Sequence, residues 1–180
     1  DDCDGVGDPA GSSVYFEETF ASGNAQGWTL GTWWQIGQAT PSSGQTSGNP
    51  DPSKDRSLPG TDNMLAGVIL GGNAPKVAHA MSYLTSPVID LSAASGSVYL
   101  EFWRWLNSGY APFMVNAVDV WDGSAWVNLW TSGSFPGVTD ASWQRVSYDV
   151  TAQKGAAFQV RRPQVERAED GGKVLRGRAR

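Results

Sequence analysis

The stretch VDVWDGSAWVNLW, residues 118–130, predicts a β-hairpin and its register. Residues 122–125, DGSA, are small or turn-forming and separate two runs of alternating apolar residues, as in a hairpin with a short loop. Counted outward from that loop, the predicted pairs are Trp121 with Trp126, Val120 with Val127, Asp119 with Asn128, Val118 with Leu129 and Ala117 with Trp130. One register therefore accounts for both strands.

The two faces of this hairpin differ in chemistry because side chains alternate along a strand. One face is aliphatic and is predicted to be core: Val118, Val120, Val127 and Leu129. The other combines indoles with polar groups: Ala117, Asp119, Trp121, Trp126, Asn128 and Trp130. Because a buried carboxylate is costly unless it is paired, this second face is not expected to be a dry core. Either a loop covers it or a ligand does.

The run SVYLEFWRWLN, residues 97–107, has the same two-faced pattern. Its aliphatic side carries Val98, Leu100 and Phe102. Its other side carries a Tyr, a Glu and two Trp residues: Tyr99, Glu101, Trp103 and Trp105. If this strand shares a sheet with the hairpin, we expect one surface rich in indole rings and carboxyl groups.

Composition favours an extracellular β protein and excludes several classes of site. The 180 residues include 22 Gly, 10 Pro and 9 Trp, and no long helical period is present. The net charge of −5 argues against nucleic acid as a partner, since phosphate binding needs clustered Lys and Arg. Cys3 is the only cysteine and His79 the only histidine, which excludes an internal disulfide and a zinc site built from several such residues. No apolar stretch has the length of a membrane span.

Strand patterns recur from Val14 onward, with turn residues between them. They are VYFEETF, WTLGTWWQI, NMLAGVIL, MSYLTSPVIDL, SVYLEFWRWL, MVNAVDVW, AWVNLW, WQRVSYDV and AAFQVR. About eight or nine short strands in one domain predict an all-β fold, a two-sheet antiparallel β-sandwich of the jelly-roll type.

The chain is predicted to have three parts. Residues 1–12 are rich in Asp and Gly and are interpreted as an acidic linker, residues 13–160 as the sandwich, and residues 161–180 as a basic tail. The last segment, RRPQVERAEDGGKVLRGRAR, has no aromatic residue and no alternation, although a closing strand is expected there. A genuine disordered tail and a shifted reading frame both explain this change. In either case we expect the closing strand to be missing or replaced.

A long polar segment between Gln38 and Thr61 shows no strand period. Loops of this length are uncommon unless they are functional, held by a ligand or disordered. Asp51, Asp55 and Asp62 cluster in or just after it, and carboxylate and carbonyl oxygens are the ligands of calcium. A solvated loop rich in turn residues explains the same composition equally well.

Several of these segments together resemble a known family. They are FEETF, DPSKDRSLPGTDNMLAGVILGGNAP, YLTSPVIDLS, VYLEFWRWLN, VDVWDGSAWVNLW and WQRVSYDVTA, and they resemble a MAM-like jelly-roll module, a concanavalin-like sandwich of secreted bacterial multidomain proteins. The resemblance covers the stretch from Val14 to Val160, and the upstream DCDGVGDP is similar to the end of a thrombospondin type 3 repeat. It implies an accessory domain without chemistry of its own, attached to extracellular proteases or adhesins.

The resemblance also implies a structural calcium site. Related modules enclose the ion with an acidic residue of the first strand, oxygens of the following loop and a carboxylate of the last strand. Here Glu18 fits the first position, with Glu17 as second choice, and Asp51, Asp55 and Asp62 are the loop candidates. The family's closing strand, which ends in an Asp pair, is not found in this sequence.

Three functions are compatible with these patterns, and we expect no catalytic residue. The first is an extracellular or cell-surface module for adhesion or glycan binding, because indoles stack on sugar CH groups and carboxylates accept hydroxyl hydrogens. Its predicted ligand residues are Tyr99, Glu101, Trp103, Trp105, Asp119, Trp121, Trp126 and Trp130. The expected partners are carbohydrate, a cell-surface protein and other domains of the same chain.

The other two functions give the same residues different roles. In a structural spacer, the indoles are covered by a loop and form a second small core. In a glycosidase, Glu101 and Asp119 are the paired carboxyl groups and lie roughly 5 to 10 Å apart.

Overall fold

The regular secondary structure of the described residues is almost entirely antiparallel β-strand. The computed structural model describes residues 13–23, 25–45, 48–56, 62–74 and 77–166. In chain order, the strands in these ranges are β1 (Thr29–Leu30), β2 (Trp34–Gln38), β3 (Met64–Val68), β4 (Ser82–Thr85), β5 (Tyr99–Arg104), β6 (Asn107–Ser108), β7 (Met114–Trp121), β8 (Trp126–Thr131), β9 (Val138–Thr139), β10 (Gln144–Asp149) and β11 (Gln159–Glu166). The same ranges contain two single-turn 3-10 helices, Ala21–Gly23 and Thr151–Gln153. Neither of these described helices has the length or the apolar character that crossing a bilayer requires.

These strands form one large sheet and three small ones. The large sheet has the order β1-β4-β11-β7-β8, and the pairs β5–β10, β2–β3 and β6–β9 form two-stranded sheets. Every pairing between the strands is antiparallel. The predicted all-β sandwich is therefore confirmed.

The core lies between the five-stranded sheet and the β5–β10 pair. Its buried cluster includes Val98 just before β5, Val120 of β7 and Val160 of β11. Leu100 of β5 and Val127 of β8 pack against this cluster. Full burial of one such side chain contributes roughly 1.5–3 kcal/mol. The aliphatic faces of β5 and of the β7–β8 hairpin thus form the two layers of the sandwich.

The β7–β8 hairpin has the predicted turn and the predicted inner register. Its ladder pairs Trp121 with Trp126, Val120 with Val127 and Asp119 with Asn128. In the loop, the Asp122 carboxylate accepts the backbone N–H groups of Ser124 and Ala125, each at 2.8 Å. These donors, with Ala125 first, hold the pKa of Asp122 below its usual value. Gly123 takes a φ of 100°, a left-handed conformation that glycine adopts without strain.

The outer part of the predicted register is wrong because β8 carries a bulge. The ladder shifts between Val118 and Asp119, so that Val118 pairs with Trp130 and Ala117 with Thr131. One extra residue on β8, Leu129, accounts for the shift. Trp130 therefore moves to the inner side of the sheet. Its ring lies 5.3 Å from the guanidinium carbon of Arg104, a residue of the facing sheet.

The segment VYFEETF, residues 14–20, was predicted to be the first strand but forms none. Phe16 instead packs against the core cluster, and the ring of Phe20 lies 5.6 Å from that of Trp28. Phe20 adopts a φ of 57°, which ends any extended run at this point. The segment is held by its aromatic side chains rather than by a sheet ladder.

The closing strand is present with a different sequence, which is the replaced rather than the missing alternative of the prediction. β11 continues to Glu166, six residues past the predicted boundary at Val160, and lies between β4 and β7. Pro163 has no N–H, and the β11–β7 ladder has no pair between Arg161–Asp119 and Gln164–Asn116. A sequence of Arg and Pro therefore occupies a central strand. The predicted linker at residues 1–12 and the remainder of the tail, residues 167–180, lie outside the described residues.

One charged side chain of β11 points between the two sheets. Arg162 pairs in the ladder with the buried Leu84, and its guanidinium carbon lies 4.9 Å from the ring of Phe102. Among the described residues it has no carboxylate partner. Desolvation, and then the charge of Arg104, lower the pKa of Arg162 to about 10, whereas Tyr148 acts to raise it. Folding therefore keeps this cation in an unfavourable environment.

Replacing Arg162 by Met should raise the free energy of unfolding by about 1–2 kcal/mol, because the change removes a desolvated charge at similar side-chain volume. Urea denaturation measures the difference. Arg145→Met is the control: the Arg145 side chain is 42% exposed, and its loss should cost less than about 1 kcal/mol. If Arg162→Met unfolds more easily than the original chain, the stacked guanidinium stabilises the core.

Candidate functional site

The two polar and aromatic faces lie on opposite sides of the molecule. On β5, Tyr99 and Glu101 are exposed and alternate with Leu100, which packs on the core. On β7, Asp119 and Trp121 alternate with the fully buried Val120. Because the aliphatic faces pack against each other, both polar faces point outward and the core separates them. β5 and the hairpin lie in different sheets, so the condition for one continuous indole surface is not met.

A loop covers the outer face of the β5–β10 pair. The indole N–H of Trp105 donates to the carbonyl of Pro50 at 3.1 Å, and that of Trp143 donates to the carbonyl of Lys54 at 3.0 Å. Arg56 of the same loop lies over the ring of Trp103 at 4.3 Å. The long polar segment thus packs on the β5 indoles, as the covered-indole interpretation expects.

The outer face of the five-stranded sheet is organised around Arg161 of β11. Its guanidinium carbon lies 4.1 Å from the centroid of the Trp126 ring and 4.7 Å from that of Tyr83. Its Nε donates to the Asp119 carboxylate at 3.0 Å. Two aromatic rings and one carboxylate therefore fix the plane of the guanidinium, an arrangement that stacking and charge both favour.

Sheet register brings these residues together. Arg161 is the ladder partner of both Thr85 on β4 and Asp119 on β7, and Asp119 is in turn the partner of Asn128 on β8. The amide of Asn128 donates to Asp119 at 2.8 Å. The Asp119 carboxylate, only 11% exposed, is thus neutralised by Arg161 and bonded by Asn128, which meets the requirement for a buried charge.

A groove of about 380 Å³ opens beside Arg161, between β1, β4 and β8. We call it the Arg161 groove. Its hydroxyl-bearing lining residues are Thr29, Thr32, Ser82, Tyr83 and Thr85. Leu30, Met81 and Trp126 supply apolar surface, and Gly31 leaves room where a Cβ would approach the Ser82 hydroxyl to 2.6 Å. The groove offers one flat indole, one fixed cation and several hydroxyl-bearing residues.

The predicted ligand residues divide among three environments. Trp121, Trp126 and Asp119 lie on the face of the Arg161 groove, with the Trp121 and Trp126 rings 5.5 Å apart. Trp103 and Trp105 lie under the loop, and Trp130 faces inward. Tyr99 and Glu101 stand on the β5–β10 side, where Glu101 pairs with Arg145 at 3.0 Å. Glu101 and Asp119, the glycosidase pair, are therefore separated by the core.

Sequence reasoning missed Tyr83 and Arg161. The alternation of Phe158 and Val160, both buried, carries a usable signal, since it places residue 161 on the opposite face. The basic composition of the residues after Val160 obscured this alternation. For Tyr83 no comparable signal exists, because its neighbours in the groove come from strands distant in sequence.

The four predicted calcium ligands have separate surroundings. Glu18 accepts the backbone N–H of Phe20 with one oxygen, and its other oxygen is buried with no hydrogen-bond partner. Asp62 accepts the backbone N–H of Met64. Within the described ranges, no group of three or more His, Cys, Asp or Glu side chains could hold a metal ion. The orphan oxygen of Glu18 is the one feature that fits a cation, and calcium stays a prediction.

An asparagine organises the loop near Asp55. The Asn63 side chain accepts the backbone N–H of Asp55 at 2.8 Å and donates to the carbonyls of Ala39 and Ser53, each at 3.2 Å. Its own φ of 57° is a conformation that Asn tolerates better than most residues. One amide therefore ties three backbone groups of the loop together. The sequence left calcium and a solvated loop as alternatives for this segment and did not indicate the role of Asn63.

The loop carboxylate Asp51 has a raised pKa. Burial raises it above 3.8, and hydrogen bonds from Ser42 and from the backbone of Gly71 oppose the increase. A carboxyl group whose pKa is raised on folding contributes stability below its unfolded pKa, and this contribution is lost as the pH rises through the folded pKa.

The stability of the Asp51→Asn variant, relative to that of the original chain, should therefore increase as the pH rises from about 3.5 to 7. Thermal melts across that range measure the difference in midpoint. Asp90→Asn is the control of opposite sign, because hydrogen bonds from Ser92 lower the pKa of Asp90. That substitution should become less favourable as the pH rises. A flat difference for Asp51→Asn would contradict the role given to burial.

Comparisons with family models, with curated proteins and with solved structures find no match to this chain. The MAM-like and thrombospondin-like resemblances therefore stay predictions. What can be argued about function comes from the residues of the groove itself.

Proposed function

We propose that the protein is a non-catalytic carbohydrate-binding module of a secreted or cell-surface protein, and that the Arg161 groove is its site. The observation that carries the proposal is the guanidinium of Arg161, held between the rings of Trp126 and Tyr83 beside a hydroxyl-lined groove. A MAM-like accessory domain attached to other extracellular domains, as the sequence resemblance implies, is the setting we propose for it.

The chemistry of the groove suits a sugar. An indole face attracts the CH groups of a pyranose ring, and Thr, Ser and Tyr hydroxyls both donate and accept hydrogen bonds to sugar hydroxyls. Arg161 is 24% exposed at its side chain and is fixed in place before any ligand arrives. A preorganised site loses less side-chain entropy on binding than a mobile one.

The same residues support a binding rather than a catalytic role. Glycoside hydrolysis ordinarily requires two carboxyl groups flanking one bond. The lining of the groove, as far as the chain is described, contains none, and the nearby Asp119 is engaged by Arg161 and Asn128.

A purely structural spacer is the second candidate, and one observation favours it. The indoles of Trp105 and Trp143 donate to backbone carbonyls of the covering loop, so this aromatic face is spent on packing. The spacer interpretation requires that the Arg161 groove bind no saccharide.

Trp126→Ala should weaken saccharide binding by about tenfold or more, equivalent to about 1.4 kcal/mol, because it removes the stacking surface. An array of neutral and acidic oligosaccharides identifies binders, and titration followed by tryptophan fluorescence gives the dissociation constant. Trp143→Ala, on the covered face, should leave that constant unchanged. If no oligosaccharide binds at millimolar concentration, the carbohydrate proposal fails and the spacer role is favoured.

We also propose that calcium stabilises the domain through Glu18, whose orphan oxygen a cation would satisfy. Millimolar calcium should raise the thermal midpoint, a chelator should reverse the rise, and Glu18→Gln should abolish it. Glu17→Gln is the matched control and should retain the calcium response. An unchanged midpoint in calcium would contradict the proposal, and loss of the response in Glu17→Gln alone would move the ligand to Glu17.

A further inference from the structure

We propose that the Arg161 groove is selective for acidic saccharides, in which a uronate carboxylate binds the free side of the Arg161 guanidinium. This inference rests on the proposed carbohydrate-binding function and names the class of sugar. It is carried by three features of the groove: the unused donors of Arg161, the charge of the lining, and the hydroxyl of Thr85 beside the cation.

The first feature is donor capacity. A guanidinium has five N–H donors, and only the Nε of Arg161 has a hydrogen bond, which goes to Asp119. The terminal amino groups of Arg161 have no hydrogen-bond acceptor among the described residues. Trp126 and Tyr83 stack on this side chain and hold it in place. A fixed, half-used guanidinium matches the two oxygens of a carboxylate in a bidentate pair.

The second feature is charge. Arg161 is the one charged side chain among the described residues that line the groove. Its counterion Asp119 is 11% exposed and belongs to the neighbouring strand. The groove therefore presents a guanidinium in a chain whose net charge is −5. A neutral sugar would leave the terminal donors of Arg161 without a charged acceptor, whereas a uronate would supply one.

The third feature is a hydroxyl group beside the cation. Thr85 lines the groove and is the direct ladder partner of Arg161, so both side chains project from the same face of the sheet. A saccharide has ring and hydroxyl oxygens close to its carboxylate, so one ligand can reach both Thr85 and Arg161. A simple inorganic anion has no second group for Thr85.

The test compares a carboxylate with its own methyl ester on the same sugar. Trigalacturonate and a hyaluronan tetrasaccharide are titrated against the full chain by isothermal calorimetry, each beside its carboxyl methyl ester. We expect at least one acid to bind about tenfold or more tightly than its ester, and the difference to shrink as salt is raised.

Two variants assign the effect to Arg161. Removing Arg161 alone would leave Asp119 as an unpaired buried charge, so the main variant is the double substitution Asp119→Asn with Arg161→Gln, which removes both charges at similar shape. It should remove the preference, so that this variant binds the acid and its methyl ester with affinities within about twofold of each other. Arg161→Lys retains the charge without the planar fork and should give an intermediate affinity. Arg145→Gln is the control on the opposite sheet and should change neither.

The other possible outcomes separate the selectivity for acidic saccharides from the carbohydrate-binding function. If an ester binds as tightly as its acid, or if only neutral sugars bind, selectivity for acidic saccharides is wrong and carbohydrate binding stands. If no saccharide binds, both the selectivity for acidic saccharides and the carbohydrate-binding function are wrong. If an N-acetylated peptide with a free carboxyl terminus displaces trigalacturonate at equal concentration, the groove reads a carboxylate on any carrier and the saccharide assignment fails.

Discussion

The fold depends on the contact between two aliphatic strand faces. Val98 and Leu100 at β5 meet Val120 and Val127 of the β7–β8 hairpin, and this contact joins the β5–β10 pair to the large sheet. Side chains alternate along a strand, so burying one face of each strand turns the other face outward. The position of every surface indole on these strands follows from that constraint. The two outer faces cannot cooperate, because the core separates them.

The two outer faces then reach different solutions for their aromatic side chains. On the β5–β10 side, the loop satisfies the indole N–H groups of Trp105 and Trp143 with its own carbonyls. On the other side, Trp126 stacks on a charged residue that has spare donors. A backbone carbonyl satisfies the single N–H donor of an indole. The Arg161 guanidinium, stacked on two rings, keeps donors that have no acceptor among the described residues. This difference is why the Arg161 face is the candidate for ligand binding.

The features that depend on a local sequence pattern were predicted from the sequence. The DGSA turn and the pairing of Trp121 with Trp126 follow from turn chemistry and period-two alternation, and both are present. The bulge at Leu129 is not visible in that pattern, because an inserted residue changes the period only after pairing is known. Trp130 was consequently placed on the wrong face.

Longer-range features were predicted less well. The full length of β11 was not predicted because it contains Arg161, Arg162 and Pro163, which are rare in a central strand. Pairing with β4 and β7 accommodates these residues there. The loop cover over Trp105 depends on a backbone carbonyl at Pro50, about which side-chain composition gives no information. Both cases involve partners distant in sequence.

The interruption at Pro163 affects only the β7 side of the central strand, because the β4 side pairs without a gap from Arg161 to Gln164. The ladder from Gln159 to Arg161 is continuous with β7, and so is the ladder from Gln164 to Glu166, but the two positions between them have no pair on that side. Local opening of Val165 and Glu166, which pair with β7 alone, therefore leaves the β4 ladder of Arg161 intact. Amide exchange at the end of β11 can be fast while the strand segment that carries the guanidinium stays protected.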